Sequence, residues 1–138
     1  MAAKRASKIA LILYTLRDFG SSRSDVLKTL KRVRKIGYEN IQVSGAPFIG
    51  LDPADMRRMA DDCGLKIIGA HIGIDEFRNR LPAVIDRVQT YGAEYAAIPY
   101  FNPGSDAKVA AWQSLAIECN RFGKALNKQG ITLQYHNH

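Results

Sequence analysis

The sequence predicts an α/β fold of repeated strand–helix units, and three observations carry that prediction. Short apolar runs that suit strands alternate, along the 138 residues, with longer stretches whose apolar residues recur at i, i+3, i+4 and i+7. Four glycines, Gly37, Gly64, Gly92 and Gly130, each close a helical stretch and precede a strand by a residue or two. The first three are 27 and 28 residues apart and the last interval is 38, an internal repeat whose fourth helix is longer. Alternation at this spacing implies parallel strands joined by right-handed crossovers.

In chain order, Lys8 to Tyr14 is the first strand, apolar and bounded by polar residues. A helix begins near Ser22 or Ser24 and ends before Gly37, with Val26, Leu27, Leu30, Val33 and Ile36 as its apolar stripe. Strand two is Glu39 to Ser44, with Ile41 and Val43 on one face and Gln42 and Ser44 on the other. A loop, GAPFIGL, leads to Asp52, an N-cap residue followed by Pro53 at the first helical position and Asp55 in the first turn. That helix reaches Cys63, and Leu65 to His71 is strand three. Pro82 is tolerated only in a first helical turn, so Asn79 is expected as N-cap of a helix reaching Tyr91. Ala93 to Tyr100 is strand four. The longest helix runs from about Asp106 to Lys128, with Trp112, Leu115, Ala116, Cys119, Phe122 and Leu126 on its buried face. Gly130 ends it, and Ile131 to His138 is a buried strand five with His136 and His138 on one face.

Length and composition fit a single domain over residues 1–138, with 46% apolar and 24% charged residues. The charge of +7 is densest between Arg23 and Lys35, where the charged residues fill the outer side of an amphipathic helix and aromatics are not interleaved. That is the pattern of a solvated helix face, and nucleic acid is not the expected partner. Cys63 and Cys119 fit no CxxC pattern and read as reduced thiols of a cytoplasmic protein. The N-terminal MAAKRASKIALILYTLRD has a basic start and a short apolar run, but no A-x-A site follows and Arg17 and Asp18 close it, so it reads as a first strand. No stretch approaches the ~20 apolar residues that a membrane span needs.

Two architectures accommodate five parallel strands. A flavodoxin-like open sheet has helices on both faces, and its strands read as continuous apolar runs. Strands two and five instead carry Gln42, Ser44, Thr132, Gln134, His136 and His138 on one face, and TLRDFGSS after strand one is no Gly-rich phosphate loop. A polar inner face suits a partial (β/α)8 TIM barrel covering strands one to five and helices one to four, since a whole barrel takes ~250 residues. Tyr14, Gln42 or Ser44, His71, Tyr100 or Asn102, and His136 with His138 then fall at C-terminal strand ends, where such barrels build their sites.

LYTLRD, IGYENIQVSG, CGLKIIGAHIG and QGITLQYHNH resemble the N-terminal part of the sugar phosphate isomerase/epimerase family, the xylose isomerase-like TIM barrels, over essentially the whole chain. The resemblance implies a cytoplasmic enzyme acting on a small sugar or sugar phosphate. A divalent metal (Mn, Mg, Co or Zn) there polarises the substrate oxygens while carboxylates move a proton beside a carbonyl. Related reactions include the inosose and dehydroshikimate dehydratases. By the same resemblance His136 and His138 are candidate metal ligands, His136 standing where many relatives have Glu. His71, Tyr14, Gln42 and Asn137 are candidate substrate contacts, and Gln42 replaces a Glu of many relatives. No catalytic residue is assigned within the chain, and it is expected to be an N-terminal fragment lacking most metal ligands and possibly any metal. The competing expectation is a non-catalytic partial barrel that pairs with itself, or with a complementing C-terminal half, through the exposed edges of strands one and five. A nucleic-acid enzyme of the endonuclease IV kind is a third, weaker reading.

Overall fold

The computed structural model describes residues 9–104 and 109–138. Five strands, β1 (Ala10–Ile12), β2 (Asn40–Val43), β3 (Lys66–His71), β4 (Tyr95–Ile98) and β5 (Thr132–Tyr135), form one sheet in the order β1-β2-β3-β4-β5. Every neighbouring pair is parallel. Each strand therefore lies beside its predecessor in sequence. A flavodoxin-like sheet would reverse direction at a switch point, and this one does not, so the barrel reading holds.

The crossovers are α1 (Arg23–Ile36), α3 (Pro53–Asp62), α5 (Leu81–Tyr91) and α6 (Val109–Asn127), with two short helices between them, α2 (Ala46–Ile49) and α4 (Ile74–Asn79). Local chemistry sets their ends. The Ser22 hydroxyl accepts from the Asp25 amide at 3.1 Å to cap α1, and the Asp52 carboxylate accepts from the Ala54 and Asp55 amides to cap α3. At three of the closing turns an amide bonds back five residues, Leu65 to the Ala60 carbonyl, Ala93 to Val88 and Ile131 to Leu126. This geometry needs the left-handed backbone found at Gly64, Gly92 and Gly130, so the repeat read in the sequence is a repeated helix stop.

The core lies between the helices and the outer face of the sheet. Val26, Leu30 and Val33 of α1, Met56 and Met59 of α3 and Val84 and Val88 of α5 bury against Ile41, Val43, Ile67 and Ile98. Each such side chain contributes about 1.5–3 kcal/mol by leaving water. Polar ties between helices reinforce this layer. Arg57 of α3 donates to the Tyr91 carbonyl of α5 at 2.8 Å, and Arg78 of α4 forks onto Glu118 of α6 at 3.0 and 2.8 Å.

Several expectations are corrected. Lys8 lies outside the described residues, and the first strand ends at Ile12: Leu13–Phe19 turns into a 3-10 stretch, broken at Leu16, that drives Leu13 fully into the core. The 45–51 loop contains the one-turn helix α2, entered through Gly45 at φ 90°, where a side chain would press on the Tyr14 backbone. Asn79 caps nothing; it ends α4 and donates to the Asp75 carbonyl, while α5 starts at Leu81 with Pro82 in its first turn. Strand four is shorter than expected and Tyr100 lies beyond it, 59% exposed. Ile36, at the last position of α1, is 74% exposed, past the layer that buries the rest of its stripe.

The largest correction is at the C-terminal edge. The expected start of the last helix, Asp106, lies outside the described residues; within α6 only Leu115, Phe122 and Leu126 are buried, and Trp112 and Ala116 are exposed. Strand five is not buried either, since Thr132, Gln134 and Tyr135 are exposed. Both follow from position. A helix packed on the last strand of a sheet has a neighbour on one side only, so its buried stripe narrows and the strand it covers keeps a bare edge.

Two stability tests follow. Gly92→Ala combines a positive φ of 65° with a collision of the new methyl against the Arg57 guanidinium, whereas Gly37 has a positive φ of 117° and open space. In urea denaturation each substitution should cost about 1–3 kcal/mol, Gly37→Ala through backbone strain alone and Gly92→Ala through milder strain together with displacement of the Arg57 tie to Tyr91. The second concerns pH. The hydrogen bonds from Arg78 hold the Glu118 carboxyl below its usual value, so the stabilisation is full above the unfolded pKa of about 4.3 and is lost as pH falls through the lower folded value. Glu118→Gln should therefore cost about 0.5–1 kcal/mol at neutral pH, the range for a partly exposed pair. The gap to wild type should close in acid, as read by thermal melts across pH.

Candidate functional site

The chemistry-bearing residues converge at the C-terminal ends of the strands, around an open cleft of about 540 Å³ whose wall includes Tyr14, Ser44, His71, Tyr100, His136 and His138. A register shift in the sheet helps to set this arrangement. Ile41 pairs with Ile67 but Gln42 pairs with Gly69, so β3 has one extra residue and Val43 stands opposite Ala70. One step further, Ser44 comes level with His71, and the Ser44 hydroxyl lies 2.8 Å from His71 Nδ1. Both side chains are buried, at 2% and 9% exposure.

His71 is the centre of the cluster. Its ring packs edge-on against His136 with centroids 4.9 Å apart, and His136 packs in the same manner on His138 at 5.0 Å. Burial first, then the neighbouring His136 and His138, lowers the His71 pKa and favours its neutral form. Nδ1 is engaged by Ser44, and Nε2 is buried without a hydrogen-bond partner among the described residues. His138 Nε2 donates to the Pro99 carbonyl at 3.0 Å, and its ring meets Tyr100 edge-on at 6.2 Å.

The six candidate residues separate into three groups. His71, His136, His138 and Tyr14 come together at the mouth, Tyr14 from the 3-10 turn and not from a strand. Gln42 lies deeper, in a second cleft of about 430 Å³ that it shares with His71, Gln134 and His136 on the inner face of the sheet. Asn137 is exposed and lines neither cleft, because alternation turns it away from His136 and His138. Ser44 matters more than its place as an alternative to Gln42 suggested. The signal was present in the sequence, since Ser44 is two residues after Gln42 and shares its face, but its partner 27 residues away depends on the bulge. Helix α2, with Pro47 in its first turn, brings Ala46 and Ile49 to the wall where the sequence suggests only a loop.

The donor set does not make a metal centre by itself. A site needs three or four convergent ligands, and no group of three metal-capable side chains in position to share an ion occurs among the described residues. His71 gives Nδ1 to Ser44 and His138 gives Nε2 to Pro99, whereas the His136 ring makes no hydrogen bond among the described residues.

The fold and mouth define a class: the chain has five parallel strands in the sequential order of a (β/α)8 barrel, consistent with a partial barrel, with its polar cluster on the side where such barrels carry their sites. The comparisons agree with a TIM-barrel fold. A sugar phosphate isomerase/epimerase from Parabacteroides distasonis superposes with a TM-score of 0.68 at 19% identity, over 99% of this chain and 54% of that one. A family 2 AP endonuclease from Brucella melitensis gives 0.71 at 11% identity, over 91% of this chain and 53% of that one. A xylose isomerase-like TIM barrel protein from Mycobacterium smegmatis, in complex with magnesium, gives 0.63 at 18% identity, over 92% and 54%. The chain thus spans about half the length of these solved structures. No protein-family model matches the sequence, and no curated protein matches it.

The donor set predicts a measurable weakness. After incubation with Co²⁺ or Zn²⁺ and gel filtration, the chain should retain far less than one metal per molecule by elemental analysis, and His136→Ala should retain less still. Stoichiometric retention would show that the three imidazoles reorganise into a site of their own.

Proposed function

We propose that these five units form the N-terminal part of a metal-dependent sugar or sugar phosphate isomerase/epimerase, whose reaction is proton transfer next to a carbonyl. The observation that supports this most is the convergence of Ser44, His71, His136 and His138 at the mouth of a xylose isomerase-like barrel. In this reading a small sugar lies across the mouth against Tyr14 and Tyr100, with His71 as a neutral hydrogen-bonding partner for its oxygens. His136 and His138 contribute at most one or two ligands to a Mn, Mg, Co or Zn ion whose other ligands come from further units of the barrel. The substrate's acid–base partners belong to those units as well, so activity is a property of the complete barrel. A dehydratase of the inosose or dehydroshikimate type is the nearest variant of the same chemistry. No helix among the described residues is long and apolar enough to cross a membrane, and a cytoplasmic location is part of the proposal.

The decisive experiment is to read the gene beyond the codon for His138. The proposal expects an Asp, a His and a Glu at the ends of three further strands, and metal-dependent interconversion of ketoses by the product that contains them. A stop codon followed by unrelated sequence would overturn it.

One observation favours a second reading, a non-catalytic partial barrel that associates with itself or with a complementing half. Exposed Thr132, Gln134 and Tyr135 leave the edge of β5 bare, and a groove of about 410 Å³ runs between it and α6. That reading expects a dimer or larger species in size-exclusion chromatography and no metal-dependent turnover, and a well-behaved monomer counts against it.

A further inference from the structure

We propose that Ser44 is a positioning residue that holds His71 in a single tautomer, with Nδ1 accepting from the Ser44 hydroxyl and Nε2 carrying the proton as a donor reserved for a ligand oxygen. The inference rests on the reading of the mouth as a sugar-binding site for its purpose, but not for its geometry.

The geometry begins with two buried groups and one contact. Ser44 and His71 are 2% and 9% exposed, and their side chains meet at 2.8 Å, a distance that fits a hydrogen bond in either direction. The directions differ in what they leave unpaired. If His71 Nδ1–H donated to the hydroxyl, the buried hydroxyl proton would need another acceptor, and among the described residues the Ser44 side chain makes no other hydrogen bond. Nε2 would then be a bare acceptor as well. If the hydroxyl donates to Nδ1, the serine is satisfied and one group alone is left over, the Nε2–H. Since each buried polar group without a partner costs about 1–3 kcal/mol, the second arrangement is favoured. At a pH where the imidazole is neutral, one ring nitrogen is a donor and the other an acceptor, which makes the choice of tautomer meaningful.

The unpaired Nε2–H then has a use. It belongs to a ring that lines both the mouth cleft and the deeper cleft. A neutral N–H there suits a hydroxyl or carbonyl oxygen of a polyol, and the same ring in the other tautomer would present a lone pair to it. Ser44 would in this way decide whether His71 gives or takes a hydrogen bond. The β3 bulge is what brings the two residues level, so the tautomer is linked to the sheet register.

The test uses the full chain without ligand. Nitrogen NMR of isotopically labelled protein at about pH 8, where an ordinary imidazole is neutral, reports the protonation of each ring nitrogen; loss of signals in His71→Asn identifies those of His71. Wild type should show a pyridine-type Nδ1 and a pyrrole-type Nε2. Ser44→Ala should move both toward the averaged values of a free imidazole, and Ser44→Thr, which keeps a hydroxyl, should restore the wild-type pattern. A pyrrole-type Nδ1 in wild type would overturn the proposal, and so would a pattern unchanged in Ser44→Ala. Should Ser44→Ala not fold, wild type and Ser44→Thr still decide it, because both must show the same single tautomer. Failure to bind any sugar would count against the functional reading and leave the tautomer result intact.

Discussion

The structure depends on one constraint, that each strand pairs in parallel with the strand before it in sequence. Right-handed crossovers then place every connecting helix on the same side of the sheet. One face of the sheet is sealed by Val, Leu, Met and Phe side chains from four helices, whereas the other borders the cleft of Gln42, His71, Gln134 and His136. The polar residues of β2 and β5 are tolerated because of this one-sided cover. Gln42 and Gln134 share a cleft on the inner face, where water can reach them, and the same residues between two helical layers would be buried without partners.

The same constraint assembles the site. Parallel strands all end at one rim, so polar residues from separate repeats meet without any long loop to carry them. Ser44, His71 and His136 come from three different units and are joined by a hydrogen bond and a ring contact. The rigidity of the rim comes from below. His71 ends a strand whose outward neighbours Ala70 and Ile72 are fully buried, so the imidazole has little freedom to move.

At the far edge the constraint is unsatisfied. Among the described residues β5 pairs with β4 alone, and Trp112 and Ile117 of α6 stay exposed. Trp112 rests against Phe101 and Tyr135, with ring centroids 5.3 and 6.4 Å apart, in a small aromatic cluster outside the main core. Such an edge either receives another strand or must be kept from doing so. The AP endonuclease and sugar phosphate isomerase/epimerase folds that superpose on the chain are about twice as long, so in those proteins the barrel has further units.

The sequence by itself determined the repeat, the order of the five strands and their parallel sense, and the existence of a polar rim. These rest on local chemistry: the closing glycines, the Asp52 cap and the alternation of Gln42 and Ser44 against Ile41 and Val43. It could not show that the first strand stops at Ile12, that Asn79 belongs to the preceding helix, or that Trp112 and β5 are exposed, because each depends on what lies beside the segment in space. Nor could it pair Ser44 with His71. Periodicity places each residue on a face of its own strand, but a bulge of one residue decides which residues of neighbouring strands stand level. The candidate site was therefore legible as a list of side chains, and only the tertiary structure decided which of them touch and which, like Asn137, turn away.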